Sequence, residues 1–314
     1  MMTDKKSTYA IAKRNTQIGN FIFDAIIAIT LLFVVVVTVY PFWNTIAVSF
    51  NDSLDSLKGG IKFWPRKFTL QNYKVLFVTD YIFKAGLISV TRTILQTAFN
   101  VFCTSMLAYA LSRKEFMLKR PLTMIIVISM YINAGIIPSY MLIKKLGLLN
   151  KYLVYIIPNL IDVFNFILVR TYINGLPDSF VESARIDGAN EFKIFMEIIM
   201  PLIIPSIAMT CLFVAVGAWN SWFDTYLYTS PKKNLHSLQY VLMSFLQASQ
   251  NQSNSASNAN SMALAAAGSG SSTMVTPVAI RASITMVATV PILIVYPFVQ
   301  KYFVTGMTIG GVKE

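Results

Sequence analysis

Long apolar segments separated by shorter polar ones dominate the hydrophobicity pattern of this chain. Five segments lack Asp, Glu, Lys and Arg for 19 residues or more: Ala25–Asn51, Thr93–Ser112, Pro121–Ile143, Ile198–Phe223 and Ala282–Gln300. A sixth, Tyr152–Val169, is interrupted only by Asp162. Because a helix needs about 20 mostly apolar residues to cross a bilayer, the pattern predicts an all-α, polytopic membrane protein with six transmembrane helices.

Composition points to the same class. Apolar residues make up 55% of the 314 residues and charged residues only 13%, whereas soluble domains carry about 25% charged residues. The net charge of +12 would suggest nucleic acid in a soluble chain, but here it fits loops beside anionic lipid headgroups. No nucleic-acid partner is expected. The first apolar segment follows a mostly polar tail and is too long for a cleaved signal, so it is interpreted as an anchor.

The charge pattern alone hardly orients the chain. With the termini inside, the cytoplasmic segments would hold 13 Lys and Arg and the outer ones 12. Only dense clusters in the N-terminal tail and at Arg113–Arg120, close to the membrane, favour cytoplasmic termini. The predicted organisation is a cytoplasmic tail (residues 1–20), a membrane domain (21–304) with an extracytoplasmic loop (227–280), and a second cytoplasmic tail (305–314).

Within the predicted outer loop, residues 247–272 consist almost entirely of Gln, Asn, Ser, Ala and Gly. Such a composition cannot bury a core of its own. Two interpretations remain open, a flexible solvated loop and a mobile element that contacts a soluble partner.

One polar connection, Pro177–Pro205, has the pattern of two short helices joined by a sharp turn. Ser179 and Glu182 predict a capping box, Gly188 permits the positive φ that ends a helix, and Asn190 is a suitable cap for a second helix. Four apolar residues are expected on one face of that second helix: Phe192, Phe195, Ile198 and Ile199.

The same connection resembles the EAA loop of binding-protein-dependent ABC importer permeases. The residues in the motif positions are Glu182, Ser183, Ala184, Asp187, Gly188, Ala189 and Phe195, with Ser183 where the family usually has Ala. The resemblance implies that this segment, residues 177–201, is a coupling helix seated in a cleft of a cytoplasmic ATPase subunit. A cytoplasmic loop here would place both termini inside.

Further segments resemble the carbohydrate importers of that family. They are AYALSR at Ala108–Arg113, KLGLLN at Lys145–Asn150 and the ending YPFVQKYFVTGMTIGGVK at Tyr296–Lys313. WNSWFDTYLY at Trp219–Tyr228 is most similar to the branch for complex, often plant-derived oligosaccharides. The resemblance implies a permease in the bacterial cytoplasmic membrane, paired with a homologous second permease and an ATPase dimer. An extracytoplasmic binding protein would deliver an oligosaccharide to it.

Residues for enzymatic chemistry are scarce. No G-x-x-x-x-G-K-[ST] motif occurs, so ATP and Mg²⁺ are expected on a partner chain, and no cofactor on this one. Cys103 and Cys211 lie in apolar segments and are interpreted as packing residues, and the single histidine, His236, as a solvated loop residue. The chain is therefore not expected to be an enzyme, and catalytic and metal sites are not predicted.

A substrate path is sought among aromatic and amide side chains inside the spans, since sugars stack on aromatic rings and bond to polar groups. The candidates are Trp219, Asn220, Tyr131, Asn133, Asn159 and Asp162. Trp222 and Tyr226, near the outer end of the span, are interpreted as anchors of an interfacial aromatic belt. Arg92, a charge at membrane depth, is expected to pair with Asp162 or Asp224; lining a polar path is the alternative.

Two other functions fit part of the pattern. An ion-coupled secondary carrier would use Arg92, Asp162 and Asp224 as an ion or proton site, although no inverted repeat is visible. A membrane scaffold would explain the spans but not the EAA-like segment.

Overall fold

A computed structural model of the chain describes residues 3–78, 80–132, 134–252 and 276–311, and the predicted all-α class is confirmed. Within these ranges the only bridge between extended segments joins Asn51 and Phe68. The α-helices, in chain order, are α1 Thr3–Ser49, α2 Ser53–Ser56, α3 Gln71–Val78, α4 Asp80–Ser112, α5 Lys119–Tyr131, α6 Ile136–Lys145, α7 Val163–Asn174, α8 Ser179–Ile186, α9 Glu191–Lys193, α10 Met200–Leu202, α11 Ile204–Asn220, α12 Leu238–Gln252 and α13 Pro277–Gly311. The chain divides into two compact units, residues 1–72 with 273–286, and residues 73–272 with 287–314.

In the first unit, a buried polar network orders the loop that follows α1. Asn72 donates through Nδ2 to the carbonyl oxygens of Ser49 (2.9 Å) and Asn51 (2.8 Å) and accepts from Ser53 Oγ (2.7 Å). Asp55 accepts from Asn51 Nδ2 (3.1 Å) and Arg66 Nε (2.8 Å), and these donors lower the pKa of its carboxyl group. The loop is thus ordered by hydrogen bonds that the hydrophobicity pattern did not predict.

In the second unit, α4, α7 and α11 form the centre, and the segment after α7 packs onto one end of it. Twelve buried apolar or aromatic residues make up this core: Ala108, Tyr109, Leu111, Phe166, Val169, Ile173, Val181, Ala184, Ile194, Phe195, Ile199 and Ile203. Residues 181–199 therefore share a hydrophobic core with the long helices, which is the structural basis of the site described below.

Two helical segments, Phe23–Ser49 and Asp80–Ser112, are long and apolar enough to cross a membrane. Two further candidates are pairs bent at a break: Tyr152–Asn159 with Val163–Asn174, at 46°, and Glu191–Leu202 with Ile204–Asn220, at 83°. The first part of the former pair is 3₁₀-helical.

The third apolar segment, Pro121–Ile143, differs from the single helix that its length predicts. It is divided between α5 and α6, and Gly135, with φ of +81°, lies just before α6. The first helix ends at Tyr131, where Ile132 is extended, and the positive φ of Gly135 permits the chain to begin a second helix in a new direction.

The predicted outer loop 227–280 contains more regular structure than its composition indicates. The π-helix Thr225–Thr229 reaches into its first residues, the 3₁₀-helix Lys233–Leu235 follows, and α12 extends to Gln252. The flexible-loop interpretation is thus wrong for residues 247–252, and residues 253–275 lie outside the described part of the chain.

His236 is buried rather than solvated, with only 5% of its surface exposed, which corrects the expectation for this residue. Its Nε2 lies 2.9 Å from the carbonyl oxygen of Ser230, so Nε2 carries the proton, and Nδ1 accepts from Tyr81 Oη at 2.7 Å. The ring of Tyr240 packs edge-on at 4.6 Å. Burial lowers the pKa of the imidazole below 6.5, and nearby Lys233 acts in the same direction.

We therefore expect acid to weaken this loop. Because the folded-state pKa of His236 lies below that of the unfolded chain, the unfolded state takes up the proton first as the pH falls through about 6.5, and stability falls with it. His236→Gln keeps one donor and one acceptor but cannot titrate. The melting temperature of the purified protein should drop less for His236→Gln than for wild type between pH 7.5 and 5.5; equal drops would contradict the assignment.

Candidate functional site

The segment from α8 to α9 forms a rigid turn on the surface. Gly188 has φ of +79°, its N–H donates to the Arg185 carbonyl (3.0 Å), and the Ala189 N–H donates to the Ala184 carbonyl (3.0 Å). These two bonds form a Schellman motif, which satisfies the last carbonyls of α8. Asn190 Oδ1 then accepts from the Lys193 N–H at 2.8 Å and caps the next helix. The predicted turn at Gly188 and the cap at Asn190 are both confirmed.

The start of α8 differs from the predicted capping box. Ser179 is the first residue of α8, and Asp178 occupies the cap position without forming a side-chain cap bond. The Asp178 carboxylate instead accepts from Lys114 Nζ, an interaction that lowers the pKa of Asp178 and raises that of Lys114. The capping box between Ser179 and Glu182 is therefore wrong, because α8 begins one residue earlier than predicted and Ser179 lies inside the helix rather than at the cap.

The EAA-like residues divide into an inward and an outward set. Ala184 and Phe195 are buried in the core shared with α4 and α7. The exposed ones are Glu182, Ser183, Asp187 and Gly188, and Ala189 is half-buried. Ile186, an apolar side chain between them, is 87% exposed. Ala184 thus packs inward, and its neighbours form the outward side of the turn.

The second short helix also departs from the expected pattern. Phe195 and Ile199 are buried and Ile198 is half-buried, but Phe192 is largely exposed. Residues Ile194–Ile199 form a π-helix. Because a π-turn has more residues than an α-turn, the face shifts along the segment, and Phe192 leaves the buried stripe.

An ion-pair network joins this turn to the loop after α4. The Arg185 guanidinium contacts Glu115 of that loop and Glu191 at the start of α9 (2.8 Å). Glu191 in turn accepts from Tyr109 Oη at 2.7 Å. The bond from Arg185 lowers the pKa of Glu115 to about 2. Sequence reasoning missed this network because its members are far apart in the chain and lie in no common motif.

Arg92 is fully buried and pairs with Asp224, as one of the two sequence alternatives predicted. Its Nη2 donates to Asp224 Oδ2 at 2.7 Å and its Nη1 to the Ser221 carbonyl at 3.3 Å. The guanidinium carbon lies 4.5 Å from the centre of the Tyr155 ring. This pair connects α4 to the residues just after α11.

The predicted path residues have separate surroundings. Trp219 is buried and donates through Nε1 to the Ala288 carbonyl at 2.9 Å, so its polar edge is used in packing. Asn220 is exposed and accepts from Gln239 Nε2 at 3.2 Å. Tyr131, at the end of α5, is 82% exposed. Asn133 lies outside the described residues.

Asn159 and Asp162 lie at the bend before α7. Asn159 donates through Nδ2 to the Tyr155 carbonyl (3.2 Å), and its own carbonyl accepts from Asn100 Nδ2 (2.7 Å). Asp162 caps α7 by accepting from the Asn165 N–H at 2.8 Å, a role that the sequence interpretation did not assign to it. Both residues therefore have a structural function at the break.

Long apolar helices, broken membrane segments and a rigid surface turn built into the core are features of an integral membrane transport subunit. Residues 100–309 match the family described as "Binding-protein-dependent transport system inner membrane component". The match covers more than half of the chain, so the chain belongs to this family.

Two relatives that align along nearly the whole chain are sugar transport permeases. The polygalacturonan/rhamnogalacturonan transport system permease protein of Bacillus subtilis (strain 168) is 35% identical over 294 residues, which cover 94% of this chain and 99% of that protein. An arabinooligosaccharides transport system permease protein of Halalkalibacterium halodurans is 28% identical, covering 92% and 96%.

Solved structures give the same result. A chain from the crystal structure of a bacterial ABC transporter involved in the import of the acidic polysaccharide alginate aligns with a TM-score of 0.80 and 25% identity, covering 91% of this chain and 98% of that one. The resemblance to ABC importer permeases is therefore confirmed: the chain is a membrane transport subunit rather than a catalytic one. The family works with an ATPase and a solute-binding protein, and the ion-coupled carrier and the scaffold are set aside.

Proposed function

We propose that this chain forms half of the translocation path of an ABC importer for acidic plant-type oligosaccharides. In this proposal it has six membrane spans and cytoplasmic termini, pairs with a homologous second permease, and is driven by ATP hydrolysis on a separate ATPase dimer. The single observation that carries the proposal is the rigid Schellman turn at Gly188, exposed outward and packed inward against α4 and α7.

The turn has the properties that mechanical coupling to an ATPase requires. Its outer side exposes two acidic side chains, Glu182 and Asp187, and the apolar Ile186. A cavity of about 330 Å³ lies beside Gly188, and Asp187, Asn190 and Lys193 contribute to its lining. The inner side of the turn, through Val181 and Phe195, belongs to the same core as the long helices. A displacement of the docked subunit would thus move packed helices rather than deform a loop, because cores are close-packed and stiff.

The organisation of the chain follows from a cytoplasmic turn. Residues 1–20 and 305–314 would be cytoplasmic tails, 21–304 the membrane domain with its coupling loop at 177–201, and 227–280 an extracytoplasmic loop. Two features beside the turn support this orientation. One is the cluster of cations in the range Arg113–Arg120, and the other is the ion pair between Lys114 and Asp178. A contact between residues 247–272 and the docked binding protein remains a hypothesis.

The substrate class rests on the relatives. One is a permease for polygalacturonan and rhamnogalacturonan, and the solved relative belongs to an importer of an acidic polysaccharide. Residues proposed to line the path are Trp219, Asn220, Tyr131, Asn133, Asn159 and Asp162. Of these, Asn220 and Tyr131 are exposed and accessible to a sugar, while Trp219 would shape the path from behind.

Reconstitution tests the proposal directly. The chain is co-expressed with a second permease, an ATPase and a binding protein of this family from the same organism, and the complex is placed in liposomes. We expect ATP hydrolysis to rise when the loaded binding protein and oligogalacturonides are added, with uptake that needs ATP and persists without an ion gradient. Uptake that follows the ion gradient instead would contradict the proposal, and stimulation by neutral arabinooligosaccharides alone would contradict the acidic substrate.

A further inference from the structure

A basic cavity lies beside the proposed coupling turn and is not used by it. Its volume is about 400 Å³, and four cationic side chains and one carboxylate line it: Arg113, Lys114, Lys119, Arg170 and Asp178. The remaining lining residues, such as Ser112 and Asn174, are neutral. The cavity therefore carries an excess of three positive charges.

Three of these cations form no ion pair among the described residues, although Arg113 also acts electrostatically on Asp178, Glu115 and Glu191 and lies 4.7 Å from the centre of the Tyr109 ring. Lys114 is paired with Asp178, but Arg113, Lys119 and Arg170 form no ion pair within the described ranges of the chain. They are half-buried and donate only to neutral oxygens: Arg113 to Ser112 Oγ (3.2 Å), Lys119 to the Lys114 carbonyl (3.3 Å), and Arg170 through Nε to the Leu111 carbonyl (3.2 Å). Like charges held together in a partly dry cavity repel, and an anion that enters it removes this repulsion.

The position of the cavity indicates the source of the anion. It lies where α4 and α7 end and α5 begins, at the ends of apolar helices. The loop along its edge exposes apolar side chains, with Met117 94% and Leu118 57% exposed, between basic residues on both sides. Exposed apolar residues flanked by Lys and Arg are typical of segments that rest in the headgroup region of a bilayer.

We propose that the basic cavity binds the phosphate group of an anionic phospholipid, with Arg113, Lys119 and Arg170 as donors and Met117 and Leu118 inserted beside the lipid chains. Guanidinium groups are suited to this role because their fixed forks bind two phosphate oxygens at once. The leaflet that supplies the lipid depends on the proposed function, in which the turn is cytoplasmic. The binding of lipid itself does not depend on it.

Native mass spectrometry of the complete complex, extracted with its membrane lipids, tests this inference. The Lys119→Gln/Arg170→Gln variant removes two of the unpaired cations, and Lys144→Gln/Lys145→Gln, on exposed residues of α6, is the control with the same change in charge. We expect the first variant to lose one phosphatidylglycerol per permease, with about 25-fold weaker lipid binding in titrations, about fivefold for each cation. The control should retain the lipid.

Three results would overturn the inference. Equal lipid counts in both variants would show that the cavity does not bind lipid, and release of the ATPase from Lys119→Gln/Arg170→Gln with unchanged lipid would assign the cations to a protein contact. Displacement of the lipid by millimolar inorganic phosphate would assign the cavity to a free anion. Lys119→Gln alone changes a single backbone contact and serves if the double variant does not assemble. Lipid counts require no transport, so they stay informative if the proposed importer activity fails.

Discussion

Gly188→Val should abolish substrate uptake and the stimulation of ATP hydrolysis while leaving the chain in the membrane. Gly188 has φ of +79°, where a β-branched residue costs about 1–2 kcal/mol, so the Schellman turn would open or shift. A Cβ atom at this position would meet no neighbouring atom within 4 Å, because the glycine faces open space. The damage should therefore fall on the conformation of the turn and on what docks there, and not on packing inside the subunit.

Gly188→Asn separates these two effects. Asn tolerates a positive φ, so the turn should persist, but its side chain extends into the space proposed for the ATPase. If docking depends on close approach, Gly188→Asn should also reduce stimulated ATP hydrolysis, by about tenfold for a loss of 1.4 kcal/mol in docking. Recovery of full activity in Gly188→Asn would restrict the role of Gly188 to backbone geometry.

Gly60→Val provides the matched control for both variants. Gly60 has a comparable φ of +73° and likewise no neighbour within 4 Å of an added Cβ, but it belongs to the first unit, in the loop after α2. The Gly60→Val variant should leave ATP hydrolysis near the wild-type rate. Normal stimulation in Gly188→Val, or an equal loss in Gly60→Val, would remove the coupling role proposed for the turn.

Arg92→Met should lower the free energy of unfolding by about 3 kcal/mol. This value is at the lower end of the range for removing one partner of a buried ion pair. The lower end applies because the Asp224 side chain is 29% exposed and retains a bond from Ser221 Oγ at 2.7 Å. The variant also loses the contact of the guanidinium with the Tyr155 ring. We expect a lower yield of folded complex and a lower midpoint in thermal unfolding of the detergent-solubilised protein.

The double variant Arg92→Met/Asp224→Leu distinguishes a pair from two independent charges. Replacing both partners by apolar residues leaves no uncompensated charge, so the double variant should be more stable than Arg92→Met alone. Lys84→Met, which breaks an exposed pair with Asp80 on the same helix, should leave the midpoint unchanged. A double variant less stable than Arg92→Met would show that Asp224 contributes without its arginine.

The sequence predicted those features that depend on local rules. The apolar segments predicted helices, Gly188 and Asn190 predicted the turn and its cap, and the buried arginine predicted an acidic partner because an isolated charge in a membrane is costly. Each of these inferences depends only on the sequence close to the residue, or on the free-energy cost of an isolated buried charge, which applies to any fold.

Features that depend on distant contacts escaped prediction. Asp178, the residue at the cap position of α8, is bonded to Lys114, 64 residues away, and the buried His236 is bonded to Tyr81, 155 residues away. The apolar segment that is divided near Gly135 has a continuous hydrophobicity pattern. Hydrophobicity indicates the surroundings of a helix but not its direction, so the pattern did not predict the division. Such outcomes follow from tertiary packing, which overrides local preference.

The 83° bend before α11 makes the proposed coupling segment a lever arm attached to that helix. Residues Glu191–Leu202 form an arm of about 18 Å, at 1.5 Å per residue, set almost at right angles to α11. If the bend holds its angle, tilting α11 by about 10° would sweep the far end of this arm through about 3 Å, and a push of that size on the turn would return the same tilt. A displacement smaller than one side chain at the turn thus suffices to reorient a membrane helix.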